Sequence, residues 1–243
     1  IDILGLFHEE LKGSTISNSK EIFDHKHCFY QRPKLLPDNP NTTDTYSQFF
    51  AGKRKLVFTS VNASNHLISF AEVMAMYILT WSPEMWRQVY INDEAISQPF
   101  KRKFAEEKVI IENFVAGLGK VRRALAHVRV YMIFDDHDIT DDWNLTRGWE
   151  DAVYGNLFAK RIVGNALAGY WLCQGWGNDP EKLQPLFESC RGFFTENGVI
   201  QHDLLIQNLL DWEHWHYCLE TSPKLVVLDT RTQRWRSESS LRK

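Results

Sequence analysis

Asp135, Asp136, Asp138, Asp141 and Asp142 place five carboxylates within eight residues, with His137 the only other titratable group among them. Like charges this close raise one another's pKa values. A bound divalent or trivalent cation reverses that effect and keeps the oxygens ionised as ligands. All five aspartates are therefore candidate metal ligands. His137, flanked by carboxylates, is favoured as the imidazolium and is a candidate donor to a developing oxyanion. The plainer alternative is that Asp138, Asp141 and Asp142 cap a turn or a helix while the rest face water. An EF-hand calcium loop does not fit: counted from Asp136, the sixth position is Asp141 where Gly is needed and the twelfth is Arg147 where Glu is needed.

The acidic cluster needs an element to aim it. Val128-Arg129-Val130-Tyr131-Met132-Ile133-Phe134 is a β-branched and aromatic run that stops abruptly at the charges, and it predicts a buried strand. Ligands gather at strand ends in α/β folds because successive strand-to-loop junctions converge there. Upstream, the spacing predicts a helix over 67–79 starting from Ser64-Asn65, a restart at Ser82-Pro83-Glu84, and a long helix over 104–128. Val109, Ile110, Phe114, Val115, Leu118, Val121, Leu125 and Val128 form one stripe of that long helix. Residues 30–48 carry three prolines and read as an irregular connection. Downstream, helices are expected over 152–171, 181–189 and 204–212, followed by a hairpin of 214–219 with 225–228 whose turn holds Pro223.

Composition narrows the function classes. The net charge is -3 and the basic residues are scattered, so no nucleic-acid footprint is visible. No apolar run reaches the roughly 18 residues of a membrane span, and a soluble chain of open compartment is expected. Cys28, Cys173, Cys190 and Cys218 are too scattered for a disulfide framework or a zinc knuckle. His214 and His216, two apart on a predicted strand, have the spacing of a zinc pair but no third ligand nearby, which favours packing. His25-Lys26-His27-Cys28 offers ligand types in an unpatterned stretch. Trp143, Trp149, Trp171 and Trp176 are candidates for a pocket wall or for core. Asn41, Asn62 and Asn144 head glycosylation sequons.

Phe134-Asp135-Asp136-His137-Asp138-Ile139-Thr140-Asp141-Asp142-Trp143 resembles the motif of the alkaline phosphatase D-like (PhoD-like) metallophosphatases: aromatic, Asp, Asp, His, acid, apolar, any residue, two Asn or Asp, then Trp. Val226-Val227-Leu228-Asp229-Thr230-Arg231 is similar to a second block of that family, and the helical stretch from Ser64 to Pro83 looks like its insertion. The family's Gly-Asp-x-x-Tyr and Gly-Asp-x-His blocks have no counterpart, and its Asn-Asn is here Asp141-Asp142.

The resemblance implies an α/β fold: part of a metallophosphatase-like β-sandwich flanked by helices, with 1–127 a large helical insertion and 128–243 part of the core. The chain would then be a portion of a longer catalytic domain. The resemblance also implies hydrolysis of a phosphoester by two metal ions, iron with calcium, manganese or zinc being alternatives. Asp136 and then Asp135 would be the leading ligands, and His137 would assist the leaving group. Arg231 would either steady phosphate or pair with Asp229. Two rival readings stand beside it. Asp136-x-Asp138-x-Thr140 also fits haloacid dehalogenase-like phosphatases, with Asp136 as nucleophile. A non-catalytic, metal-stabilised interaction domain is the other.

Overall fold

The computed structural model describes residues 28–36, 57–60, 63–195 and 198–235. Six helices dominate them: α1 (Phe70–Trp81), α2 (Lys101–Leu125), α3 (Arg147–Tyr154), α4 (Leu157–Cys173), α5 (Pro180–Thr195) and α6 (Gly198–Asp211). The only ladder among the described residues joins β1 (Tyr217–Leu219) to β2 (Leu225–Val227), antiparallel, with Cys218 opposite Val226. This overturns the expected β-sandwich. A sandwich needs several partnered strands on two faces, whereas the two downstream β-runs here pair only with each other. The upstream run at 128–134 joins no ladder.

Helix α4 is the axis of the core. Its sequence is apolar on nearly all sides, and such a helix is stable only when surrounded; Phe158, Ile162, Val163, Leu167, Ala168 and Trp171 are all buried, with α1, α3 and α6 packed against it. Two glycines permit the close approach. A β-carbon on Gly164 would overlap the Ile206 side chain of α6, and one on Gly169 would overlap Val73 and Tyr77 of α1. The polar residues that α4 buries are satisfied: Asn165 donates to the Ile68 carbonyl (3.0 Å) and accepts from His202 (2.8 Å), while Arg161 pairs with Asp203. The expected single helix over 152–171 is two helices. Asn156 accepts from the Ala159 amide at 3.0 Å and starts a fresh N-terminus after Gly155.

Helix α1 starts later than expected, at a capping box. Ser69 accepts from the Glu72 amide, and Glu72 accepts from the Ser69 amide at 3.0 Å. The other Glu72 oxygen meets Arg32 at 2.6 Å, both side chains buried. Helix α2 departs from its sequence expectation in another way: of its apolar stripe only Leu118 is buried, and Val109, Ile110, Phe114 and Val121 are exposed. Trp86 lies edge-on to Phe114 at 6.4 Å. No helix among the described residues is long and apolar enough to cross a membrane.

Candidate metal centre at the acidic turn

The run before the acidic turn is held by side chains in place of a neighbouring strand. The Asn178 amide bridges both backbone groups of Met132, accepting from its N–H at 3.1 Å and donating to its carbonyl at 2.6 Å. Tyr217 and Tyr170 hydroxyls add further donors to that carbonyl. Val128 and Val130 are consequently exposed, not buried as a central strand would be, while Phe134 packs edge-on to buried Trp143 at 4.8 Å.

The turn then closes on itself, with the amides of Ile139 and Thr140 both donating to the Asp136 carbonyl at 2.8 Å. Residues 57–60 lie against it. Thr140 donates to the Val57 carbonyl (2.9 Å), Ser60 to the His137 carbonyl (2.6 Å), and Thr59 to Asp142 (3.0 Å) while accepting from the Asp141 amide (3.2 Å). The buried ring of His66 sets Nε2 2.8 Å from the Ile139 carbonyl. None of these contacts was visible in spacing. The apolar Leu56-Val57-Phe58 ending in two hydroxyl residues was the available signal.

A second turn meets the first from 95 residues away. Asp229 accepts from the amides of Arg231 and Thr232, both at 2.9 Å, folding Asp229–Thr232 into a tight cap. The Arg231 guanidinium thereby reaches back: its Nε donates to Asp136 Oδ1 at 2.6 Å and its Nη2 to Asp135 Oδ1. Of the two roles open to Arg231, pairing through its side chain with Asp229 is not what forms; Asp229 holds its backbone. Asn144 secures the junction, donating to the carbonyls of Arg231 (3.3 Å) and Thr232 (3.2 Å) and accepting from Tyr154 at 2.8 Å. Its φ of 51° is one that Asn tolerates better than most residues. Asn144, which heads a sequon, is buried. Asn41 and Asn62 of the other two sequons, and His25 and His27, lie outside the described residues.

The six residues of the acidic turn divide into two groups. Asp135, Asp136 and His137 each bring one ligand-type atom to within 4.8 Å of the others. Asp136 is only 1% exposed, and its Oδ2 has no hydrogen-bond partner. A buried carboxylate oxygen left without a partner is costly, and a cation would satisfy it. His137 is exposed; its Nδ1 lies 2.9 Å from Asp141 and its Nε2 is 3.9 Å from Asp135. Asp141 thus orients the ring, Asp142 accepts from Thr59, and Asp138 lies on the rim of an adjoining cavity.

The electrostatics follow from these contacts. The His137 pKa is raised above 6.5, first by the hydrogen bond to Asp141 and then by the charge of Asp135. Partial desolvation pushes Asp135 up, but the Asp136 amide, Arg231 and His137 outweigh it and hold the carboxyl below its usual range. His214 and His216 are exposed, their rings 6.0 Å apart, and neither is among the metal-capable residues found in the described part of the chain. Trp143, Trp149 and Trp171 are core residues.

Comparison with protein-family models, with curated proteins and with solved structures yields no match for the chain.

Proposed function

We propose that the acidic turn and the Asp229–Thr232 turn form one site for a divalent cation, at which the protein hydrolyses a phosphoester. The observation that carries this reading is the unpartnered, buried Oδ2 of Asp136 beside Asp135 and His137. The two segments that resemble alkaline phosphatase D-like blocks also meet in one ion-pair network through Arg231.

The donor types fit a metal: two carboxylates and an imidazole suit manganese, zinc or iron. Asp135, Asp136 and His137 would hold it, and three protein ligands suit one ion with open positions better than the two ions the resemblance implies. When bound, the ion supplies a water of lowered pKa and a Lewis acid for a phosphoryl oxygen. Arg231 fixes Asp136 through Oδ1, which leaves Oδ2 for ligation. Asp141 accepts from His137 Nδ1–H and so selects the tautomer whose Nε2 carries the lone pair, the arrangement that orients ligating histidines generally. That assigns His137 to ligation and Asp141 to its support, ahead of the proton-transfer role the motif alone suggests.

One observation favours a second reading, in which the turn is a structural clamp: Arg231 already contributes a positive charge to both Asp135 and Asp136. The dehalogenase-like reading gains nothing comparable, since Asp136 is buried and braced where a nucleophile needs an open approach.

The deciding experiment is hydrolysis of p-nitrophenyl phosphate and its diester with manganese, zinc or iron and with chelator, for the wild type and Asp136→Asn. Metal-dependent turnover, abolished by chelation and lower by on the order of 100-fold in the variant, is expected. Turnover indifferent to chelator, or none with any metal, contradicts the proposal.

A further inference from the structure

A cavity of about 440 Å³ opens directly beside the acidic turn, between α1, α4 and residues 133–139. Val73 and Met76 of α1 and Ile162 and Ala166 of α4 give its wall apolar side chains, and His66 and Thr80 add polar ones. Asp135 and Asp138 stand at its edge, and no Lys or Arg lines it. Asp135 therefore belongs both to the candidate metal ligands and to the cavity.

We infer that this cavity receives the ester group of the substrate, and that the preferred phosphoester is one of an aromatic or short aliphatic alcohol. The inference rests on the phosphoester reading above and names the substrate class for that site. A phosphoryl group beside Asp135 has the cavity as its neighbour, so the alcohol portion enters it. The chemistry of the wall then selects. An alcohol bearing a second phosphate or a carboxylate meets two aspartates and no Lys or Arg side chain. A sugar needs many donors and acceptors, yet those of the wall are engaged: the Tyr77 hydroxyl donates to Gln174 at 3.3 Å, the Thr80 hydroxyl to the Met76 sulfur at 3.7 Å, and the His66 ring nitrogens lie against the Leu67 and Ile139 carbonyls. An apolar ring or chain instead gains contact with the aliphatic and aromatic part of the wall. A dry cavity of roughly 150 Å³ suffices for one benzene ring, so this one takes a substituted ring or a chain of several carbons.

The test is calorimetric titration of the manganese-loaded protein with phenylphosphonate and methylphosphonate, and of the metal-free protein with benzyl alcohol. The same titrations are run on Ala166→Phe and Thr80→Trp, which fill the cavity from opposite walls, with thermal melts to verify folding. Phenylphosphonate should bind about 10- to 100-fold more tightly than methylphosphonate. Either cavity-filling variant that remains folded should bring it down to the methylphosphonate level and abolish benzyl alcohol binding. Equal affinity for the two phosphonates in the wild type, or a preference that survives both fillings, overturns the inference while leaving the metal-centred reading in place. Binding of benzyl alcohol without manganese or either phosphonate overturns the phosphoester reading, and the inference falls with it.

Discussion

Helix α4 is enclosed along most of its length by apolar neighbours, whereas the acidic turn at 135–142 is pinned by polar contacts from distant parts of the chain: Val57–Ser60, His66 and Arg231. The first region gains stability from area and packing, which tolerate local adjustment. The second gains geometry from individual hydrogen bonds, each of which fixes one atom. A cation site needs the second kind of construction, because ligand atoms must be held in place against their mutual repulsion. The run at 128–134 shows the same principle, since the Asn178 amide bonds both backbone groups of Met132, as a neighbouring strand would.

Breaking each region should have different consequences. Leu167→Ala, at a fully buried position of α4, should cost about 2–5 kcal/mol of global stability, read by urea denaturation, with the acidic turn unchanged in the part that remains folded. Arg231→Ala should cost about 2–3 kcal/mol: it strands the buried Asp136, while its arm to the exposed Asp135 contributes little. Manganese should recover part of that loss in thermal melts. Recovery by manganese separates a cation site from a purely structural clamp, which would show none.

Acid should act on the core. Burial pushes His202 down to about 3, and Arg161 adds to the effect, so the folded state keeps the ring neutral while the unfolded chain protonates below pH 6.5. Stability is thus full above that pH, is lost as pH falls, and levels off near the folded value. Between pH 6.5 and 5 the loss is about 2 kcal/mol, and His202→Gln should flatten that part of the profile. His66 is depressed in the same direction, chiefly by burial, and leaves a residual slope. The smallest effect is expected for Thr59→Val, about 1 kcal/mol, because the hydroxyl it removes bonds Asp142 and the exposed Asp141 amide at the edge of the turn. It should lower metal affinity more visibly than the melting temperature.

The same contrast explains what could be read from the sequence. Helices are local, so their periodicity located α1, α2, α5 and α6 approximately, and the hairpin emerged from two β-runs around Pro223. Boundaries failed where one polar side chain decides them, as at Ser69–Glu72 and Asn156. The β-sandwich failed because strand propensity in 128–134 describes a conformation and not a partner; here Asn178 and two tyrosines take that place. The α2 stripe carried the pattern of a core face without the neighbours to make it one. At the site, the adjacency of Asp135, Asp136 and His137 was legible because it is consecutive. The convergence of Arg231, Asn144, Thr59 and Ser60 was not, since separations of 77 to 96 residues leave no periodic trace.

The most direct test of the central claim is manganese binding by isothermal titration calorimetry to the wild type and to Asp136→Asn, which retains an acceptor for Arg231. One ion per chain in the wild type, with affinity at least about 10-fold weaker in the variant at an equal melting temperature, is the predicted result. No saturable binding to the wild type, or equal binding to both, would contradict it.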